Sequence, residues 1–345
     1  MKRAHRLRPP NRLALPALLL LLAAAPAAHA DLCSASLSNL NFGNVSPITG
    51  SDIYASASGN VSCSWSLLNP TPPFLLLLPK VTVCVNIGLG SNSSATTPRT
   101  LGNGANRLQY NLYRDATYSA AAIFGGPATP ATPTPLTVGG TSPNLITGGT
   151  INIPFTVYGK IPAGAALAAV PTSSDSDTVY TSSFAGNATI NYAFYNLVAP
   201  ACTAGSSASF TFQVNATVIN DCTISAAPVN FGSNGVLNGT VRATGSLSVR
   251  CTNNNAYRIT LNGGSVASDV TARKMKPASG SGRIAYRLSQ TLDGPIWGDG
   301  TGSTAVHTGT GTGNTTGVTI YGMVPAQTTP APGDYSDTVQ ATIAF

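Results

Sequence analysis

The stretch FTVYGKIP (155–162) returns later in the chain as VTIYGMVP (318–325), and this second copy decides how the sequence is read. Outward from the pair, LQYNLYRD (108–115) matches IAYRLSQT (284–291). Cys33 is followed nine residues later by Phe42-Gly43, and Cys222 nine residues later by Phe231-Gly232. Cys63 then follows Phe42 by 21 positions, and Cys251 follows Phe231 by 20. The tails TINYAFY (189–195) and VQATIAF (339–345) both alternate apolar and polar residues, as a half-buried strand does. Anchors in one order at near-equal spacing mark a duplication. Each copy, roughly 140 to 170 residues, has the size of a sandwich domain rather than of a solenoid repeat.

Composition agrees with an all-β fold. Gly and Pro make up 60 of 345 residues and charged residues only 8%, while 43% are apolar, enough for a core. No stretch offers Glu, Lys, Arg and Leu sustained at helical spacing, so many short strands joined by turns are expected. The reading is two tandem β-sandwiches, residues 31–200 and 208–345. The small, Ser-rich segment from Pro200 to Ala208 separates them, and FTFQVNATVINDC (210–222) holds the opening strand of the second domain and the connection to it.

Residues 1–30 read as a signal peptide: Lys2, Arg3, Arg6, Arg8 and Arg12, an apolar run from Leu13 to Ala28, and Ala28-His29-Ala30 as cleavage site. Its removal takes five of the 18 basic residues and none of the 11 acids, leaving 13 against 11 and a net charge of +2. The remaining cations are scattered, so no nucleic-acid partner is expected. All 11 acids are Asp, and His307 is the one histidine after residue 30. Acid–base pairs, histidine triads and histidine metal sites lack their residues, so the chain reads as no enzyme, with no cofactor and no metal.

Six cysteines in an exported chain read as three disulfides. Equivalent positions of the repeat pair equivalently, giving Cys33–Cys63 and Cys222–Cys251 and leaving Cys84–Cys202.

The second copy resembles the spore coat U domain family, which includes the pilins of archaic chaperone–usher pili. The resemblance rests on FTFQVNATVINDC, Asn230-Phe231-Gly232, Val249-Arg250-Cys251, Arg273-Lys274-Met275, Trp297-Gly298-Asp299-Gly300, VTIYGMVP and the run Gly333 to Val339. The first copy keeps Asn41-Phe42-Gly43, the cysteine pair and the Tyr-Gly motif, with Ile123-Phe124-Gly125-Gly126 in place of the Trp-Gly-Asp-Gly run. The resemblance implies immunoglobulin-like sandwiches, the C-terminal one an incomplete pilin-type domain completed by strand addition from an adjacent pilin subunit. A periplasmic chaperone holds such a domain beforehand, and an outer-membrane usher assembles it. The expected acceptor edge carries Val339, Ala341, Ile343 and Phe345. With Asp31-Leu32-Cys33 opening the chain after cleavage, the subunit is expected to accept a strand and to donate none. That is the behaviour of a tip adhesin at the surface of a Gram-negative cell.

The first copy is longer in three places. Cys63 to Ile87 spans 24 positions against 10 from Cys251 to Leu261; Tyr110 to Tyr158 spans 48 against 35; Tyr158 to Tyr180 spans 22 against 14. These insertions are apolar, with Trp65, Leu67, Leu68, Phe74, Leu75, Leu76 and Leu77 in the first, Ile123 and Phe124 in the second, and Leu167 and Val170 in the third. They are expected to form apolar fingertips that bind an abiotic or host surface and promote biofilm formation. For 74–78 the alternative is a buried core strand continuing into VTVCVNIG. Two other functions remain open: a tip lectin using Trp65, Tyr113 and Tyr118, and a structural coat or matrix protein.

Overall fold

Strands run through the β-branched and aromatic segments, and Gly, Pro, Asn and Ser punctuate them. The computed structural model describes residues 31–65, 78–126, 134–144, 149–173 and 175–345; the expected signal peptide, 1–30, lies outside them. The first sandwich contains β1 (Leu32–Leu37), β2 (Leu40–Val45), β3 (Ile53–Trp65), β4 (Lys80–Ile87), β5 (Arg99–Asn103), β6 (Asn106–Tyr113), β7 (Leu136–Thr141), β8 (Gly149–Ile161), β9 (Thr178–Ser183), β10 (Ala188–Tyr195), β11 (Ser206–Phe210) and β12 (Gln213–Val218). One sheet has the order β1-β3-β8-β6-β5-β9-β12-β2, and the facing sheet β11-β10-β4-β7. Only Ser38 and Asn39 join β1 to β2, the two ends of the large sheet, so that sheet curls round its core.

The second sandwich contains β13 (Cys222–Ala227), β14 (Val241–Cys251), β15 (Ala256–Leu261), β16 (Lys274–Pro277), β17 (Ile284–Ala285), β18 (Arg287–Ser289), β19 (His307–Thr310), β20 (Thr315–Val324), β21 (Tyr335–Ser336) and β22 (Ala341–Ala344). Its sheets are β13-β14-β20-β18, β19-β15-β22 and β17-β16-β21. The first of these repeats β1-β3-β8-β6 strand for strand. The pairs β4–β7 and β4–β10 return as β15–β19 and β15–β22, and β5–β9 returns as β16–β21. Each sandwich has its own buried cluster, one built from Cys33 to Val218 and one from Leu237 to Val324.

Two expectations are corrected by strand pairing. Residues 206–218 do not open the second sandwich. β11 pairs with β10, and β12 lies between β9, antiparallel, and β2, parallel. Alternation sets this placement: Phe210, Phe212, Val214, Ala216 and Val218 all point into the first core and are at most 5% exposed. The match between the tails is also shifted. Pairing against β4 and β15 aligns Ala188 with Ala341 and Ile190 with Ile343, so TINYAFY is displaced by three from the alignment of its ends.

Three disulfides join Cys33 to Cys63, Cys222 to Cys251 and Cys84 to Cys202, the pairs that the repeat predicts. Cys33 lies directly opposite Cys63 across β1 and β3, and Cys222 opposite Cys251 across β13 and β14. Closing a loop of 30 residues restricts the unfolded chain. Replacing Cys33 and Cys63 together by Ser is expected to destabilise the first sandwich by roughly 3 to 4 kcal/mol in guanidinium unfolding, with the second sandwich's transition unmoved.

Candidate functional site

The two copies share a framework and differ in one seat. In the first, the edge Leu40-Asn41-Phe42-Gly43 pairs with β12 through a bulge, and Leu40 and Phe42 are buried. In the second, the equivalent Val229-Asn230-Phe231-Gly232 belongs to no strand, and Val229 and Phe231 are half-buried. Its local geometry is nonetheless the same. Asn41 Oδ1 accepts from Gly43 N–H at 2.8 Å, and Asn230 Oδ1 from Gly232 N–H at 2.8 Å. Gly43 has φ 68° and Gly232 φ 70°, a region open to glycine. Phe42 lies over Gly159 and Phe231 over Gly322, each so close that a Cβ on the glycine would collide with the ring.

Across from this edge runs the segment 335–345. Ser336 pairs with β16 as Thr181 does with β5, and Tyr286 donates to Asp337 Oδ2 at 2.7 Å. Asn262 N–H bonds to Gln340 C=O, and Gln340 N–H to Asn262 Oδ1. Strand alternation therefore turns the peptide groups of Val339, Ala341, Ile343 and Phe345 to the opposite edge. Among the described residues no strand pairs there, whereas β11 covers that edge of β10 in the first sandwich. The side chains of Val339, Ala341 and Ile343 pack half-buried on the second core, and Phe345 is 50% exposed. Between the edges lies a groove of about 990 Å³, floored by Leu247, Leu261, Met275, Leu288 and Ile320. It opens where β12 sits in the first sandwich. The sequence reading placed residues on the 339–345 side and missed Val229 and Phe231; the recurrence of Asn-Phe-Gly at 41–43 and 230–232 was the available signal.

The expected fingertip residues are dispersed. Leu67, Leu68, Phe74, Leu75, Leu76 and Leu77 lie outside the described residues. Trp65 is buried at the end of β3, edge-on to Phe194 at 5.3 Å, and Ile123 and Phe124 are buried beneath the turn Ala120–Ala122. The single-turn helix Ala165–Ala168 rolls Leu167 inward, and Val170 follows it into the first core. These five are therefore corrected from exposed to buried: each finds an apolar cavity of its own sandwich within reach. The third insertion also meets the second sandwich. Asn253 Nδ2 donates to Ala169 C=O at 2.8 Å, and Thr172 Oγ1 to Asn255 Oδ1 at 2.5 Å, so the insertion sits at the joint between domains.

The pole remote from that joint does expose apolar side chains. β10 ends beside Lys80, and the chain beyond it presents Leu197 and Val198, 78% and 81% exposed, near Leu78, 42% exposed. Trp65, the last residue of β3, and Leu78 bound a segment that lies outside the described residues. Leu197 and Val198 went unnoticed in the sequence because no insertion marks them. Of the lectin candidates, Tyr113 and Tyr118 meet at 5.4 Å, with Tyr54 4.6 Å from Tyr118, whereas Trp65 lies apart in the core. His307 Nδ1 faces Gln290 Oε1 at 3.2 Å, and burial holds its pKa below the usual value.

Beside the groove, burial and then the Asp337 carboxylate push the Tyr286 hydroxyl above its ordinary pKa of 10. A raised folded value means that its stabilisation is complete below pH 10 and is lost as pH climbs beyond it. Tyr286→Phe is expected to cost about 1 to 2 kcal/mol at pH 7. The gap between variant and parent should narrow above pH 10 in denaturant titrations of the second sandwich.

The model of the family described as Spore Coat Protein U domain matches residues 19–182 and 208–342. Its second match thus includes β12, which the fold places in the first sandwich. "Protein U" of Myxococcus xanthus is 35% identical over 130 residues, covering 34% of this chain and 71% of that protein. Among solved structures, the CsuC–CsuE chaperone–tip adhesion subunit pre-assembly complex from archaic chaperone–usher Csu pili of Acinetobacter baumannii contains a similar chain. The TM-score is 0.50 and the identity 18%, with 91% of this chain and all of that chain covered.

Proposed function

The chain belongs to the Spore Coat Protein U domain family, and from that premise we propose that it is a two-domain tip adhesin of an archaic chaperone–usher pilus. The observation that carries the proposal is the groove of the second sandwich, vacant where β12 fills the first. An uncovered sheet edge with an apolar floor invites a strand from another polypeptide, with main-chain hydrogen bonds supplying affinity and pockets supplying selectivity. The partners are a periplasmic chaperone that covers the groove before assembly, an outer-membrane usher, and the adjacent pilin that donates the strand. Likeness to a chain crystallised with its chaperone supports this choice.

Adhesion belongs to the far pole of the first sandwich. Leu78, Leu197 and Val198 offer apolar area there, worth about 25 cal/mol per Å² when taken out of water. One tip gives modest affinity, and many pili acting together raise it to stable attachment and biofilm formation. The family description also favours a second reading, a structural coat protein. Labelling discriminates: an adhesin decorates fibre ends, a coat protein the whole cell surface.

The double variant Leu197→Ser, Val198→Ser should lose several-fold in binding of piliated cells to polystyrene while fibre number stays unchanged. Equal binding by the variant would remove the pole from adhesion. Yield of the full chain should rise with a co-expressed periplasmic chaperone that co-purifies with it; recovery of a monodisperse chain alone, in equal yield, would contradict the acceptor role.

A further inference from the structure

Resting on the acceptor reading above, we infer that the strand taken by the second groove follows the side-chain pattern and register of this chain's own residues 206–218. The first sandwich is a filled copy of the second, so its occupant serves as a template. Along β11 and β12 the inward residues are Ala208, Phe210, Phe212, Val214, Ala216 and Val218. Phe210 lies opposite Ala188, whose equivalent is Ala341, and Ala216 opposite Tyr180, whose equivalent is Tyr335. Val214 and Asn215 run beside Leu40 and Asn41, whose equivalents are Val229 and Asn230.

Two features make the transfer physical rather than formal. The bulge that receives β12 is already set in the vacant copy, with the same Asn–Gly hydrogen bond, the same left-handed glycine and the same phenylalanine over glycine. A preset edge costs little ordering on binding, so register is chosen by the groove and not by the ligand. The inward positions are also unequal in size: Ala216, opposite Tyr180, is fully buried and is the small residue between Val214 and Val218. The second groove thus selects an uncharged extended segment reading aromatic-x-aromatic-x-Val-x-Ala-x-Val. One seat differs, since Asp337 stands where Ser182 faces Val214. Its carboxylate is already engaged by Ser265 N–H and Oγ–H, Val266 N–H and Tyr286 O–H.

The test uses the full chain and a synthetic peptide of residues 206–220. With Thr217→Cys in the peptide and Ser233→Cys in the protein, at the equivalent of the Thr217–Asn44 pair and clear of the Asn230–Gly232 hydrogen bond, a mixed disulfide should form at least fivefold faster than with Thr211→Cys or Gln213→Cys peptides. The same peptide should not trap protein carrying Asn44→Cys, whose groove is occupied. Labelled peptide should bind at least tenfold more tightly than its Ala216→Phe variant. If the peptide enters but traps equally at all positions, or tolerates Phe at 216, the shared pattern is overturned while strand acceptance stands. If a same-length peptide of alternating Val and Thr enters and this one does not, the pattern alone is again overturned. If neither enters, both the pattern and the acceptor reading fall.

Discussion

Hydrogen bonding of β12 along both of its edges, to β9 on one side and β2 on the other, is the constraint on which the first sandwich depends. This single strand closes the large sheet and roofs the core with Phe212, Val214 and Val218. Each such side chain contributes about 1.5 to 3 kcal/mol by leaving water. Among the described residues no strand holds the corresponding place in the second sandwich, whose sheets there are β13-β14-β20-β18 and β17-β16-β21 with a groove between them.

What the copies keep in common is held by buried polar anchors as much as by apolar packing. Arg99 is buried and donates from Nε to Gly88 C=O and from its terminal nitrogens to Ile87 C=O, Phe124 C=O and Asn111 Oδ1. Arg273 repeats the core of this arrangement, with Nε on Asn262 C=O and a terminal nitrogen on Leu261 C=O. Each guanidinium satisfies carbonyls at the end of a central strand, β4 or β15, where the ladder runs out of partners. Burial lowers the Arg99 pKa to about 10, still leaving it charged at neutral pH.

The joint between sandwiches is short and densely bonded. Three residues, Ile219 to Asp221, separate β12 from β13. Ile219 N–H bonds to Val45 C=O, Ser46 Oγ to Asp221 Oδ2, Asn220 N–H to Asp177 Oδ1, and Ala256 N–H to Asp175 Oδ1. Gly313 lies so close to Ala168 C=O that a side chain has no room, and its φ of 74° suits glycine. The third insertion supplies part of this joint through Ala169 C=O and Thr172 Oγ1, while Leu167 and Val170 turn into the first core.

Period-two alternation, the scarcity of helix-forming patterns and the repeated cysteine spacing were enough to read an all-β chain and its disulfide pairs from the sequence alone. Those properties are local or follow from the copy, so they need no coordinates. The allegiance of residues 206–218 was different. Their alternation announces a strand, but the two neighbours of β12, β9 and β2, lie at least 30 residues away in the chain, and only pairing decides which sandwich receives it. The fate of Trp65, Ile123, Phe124, Leu167 and Val170 was of the same kind, because an apolar residue in an insertion fits a core and an exposed tip equally well in sequence. Burial is a property of what surrounds a side chain, and that is set by contacts among segments far apart in the chain.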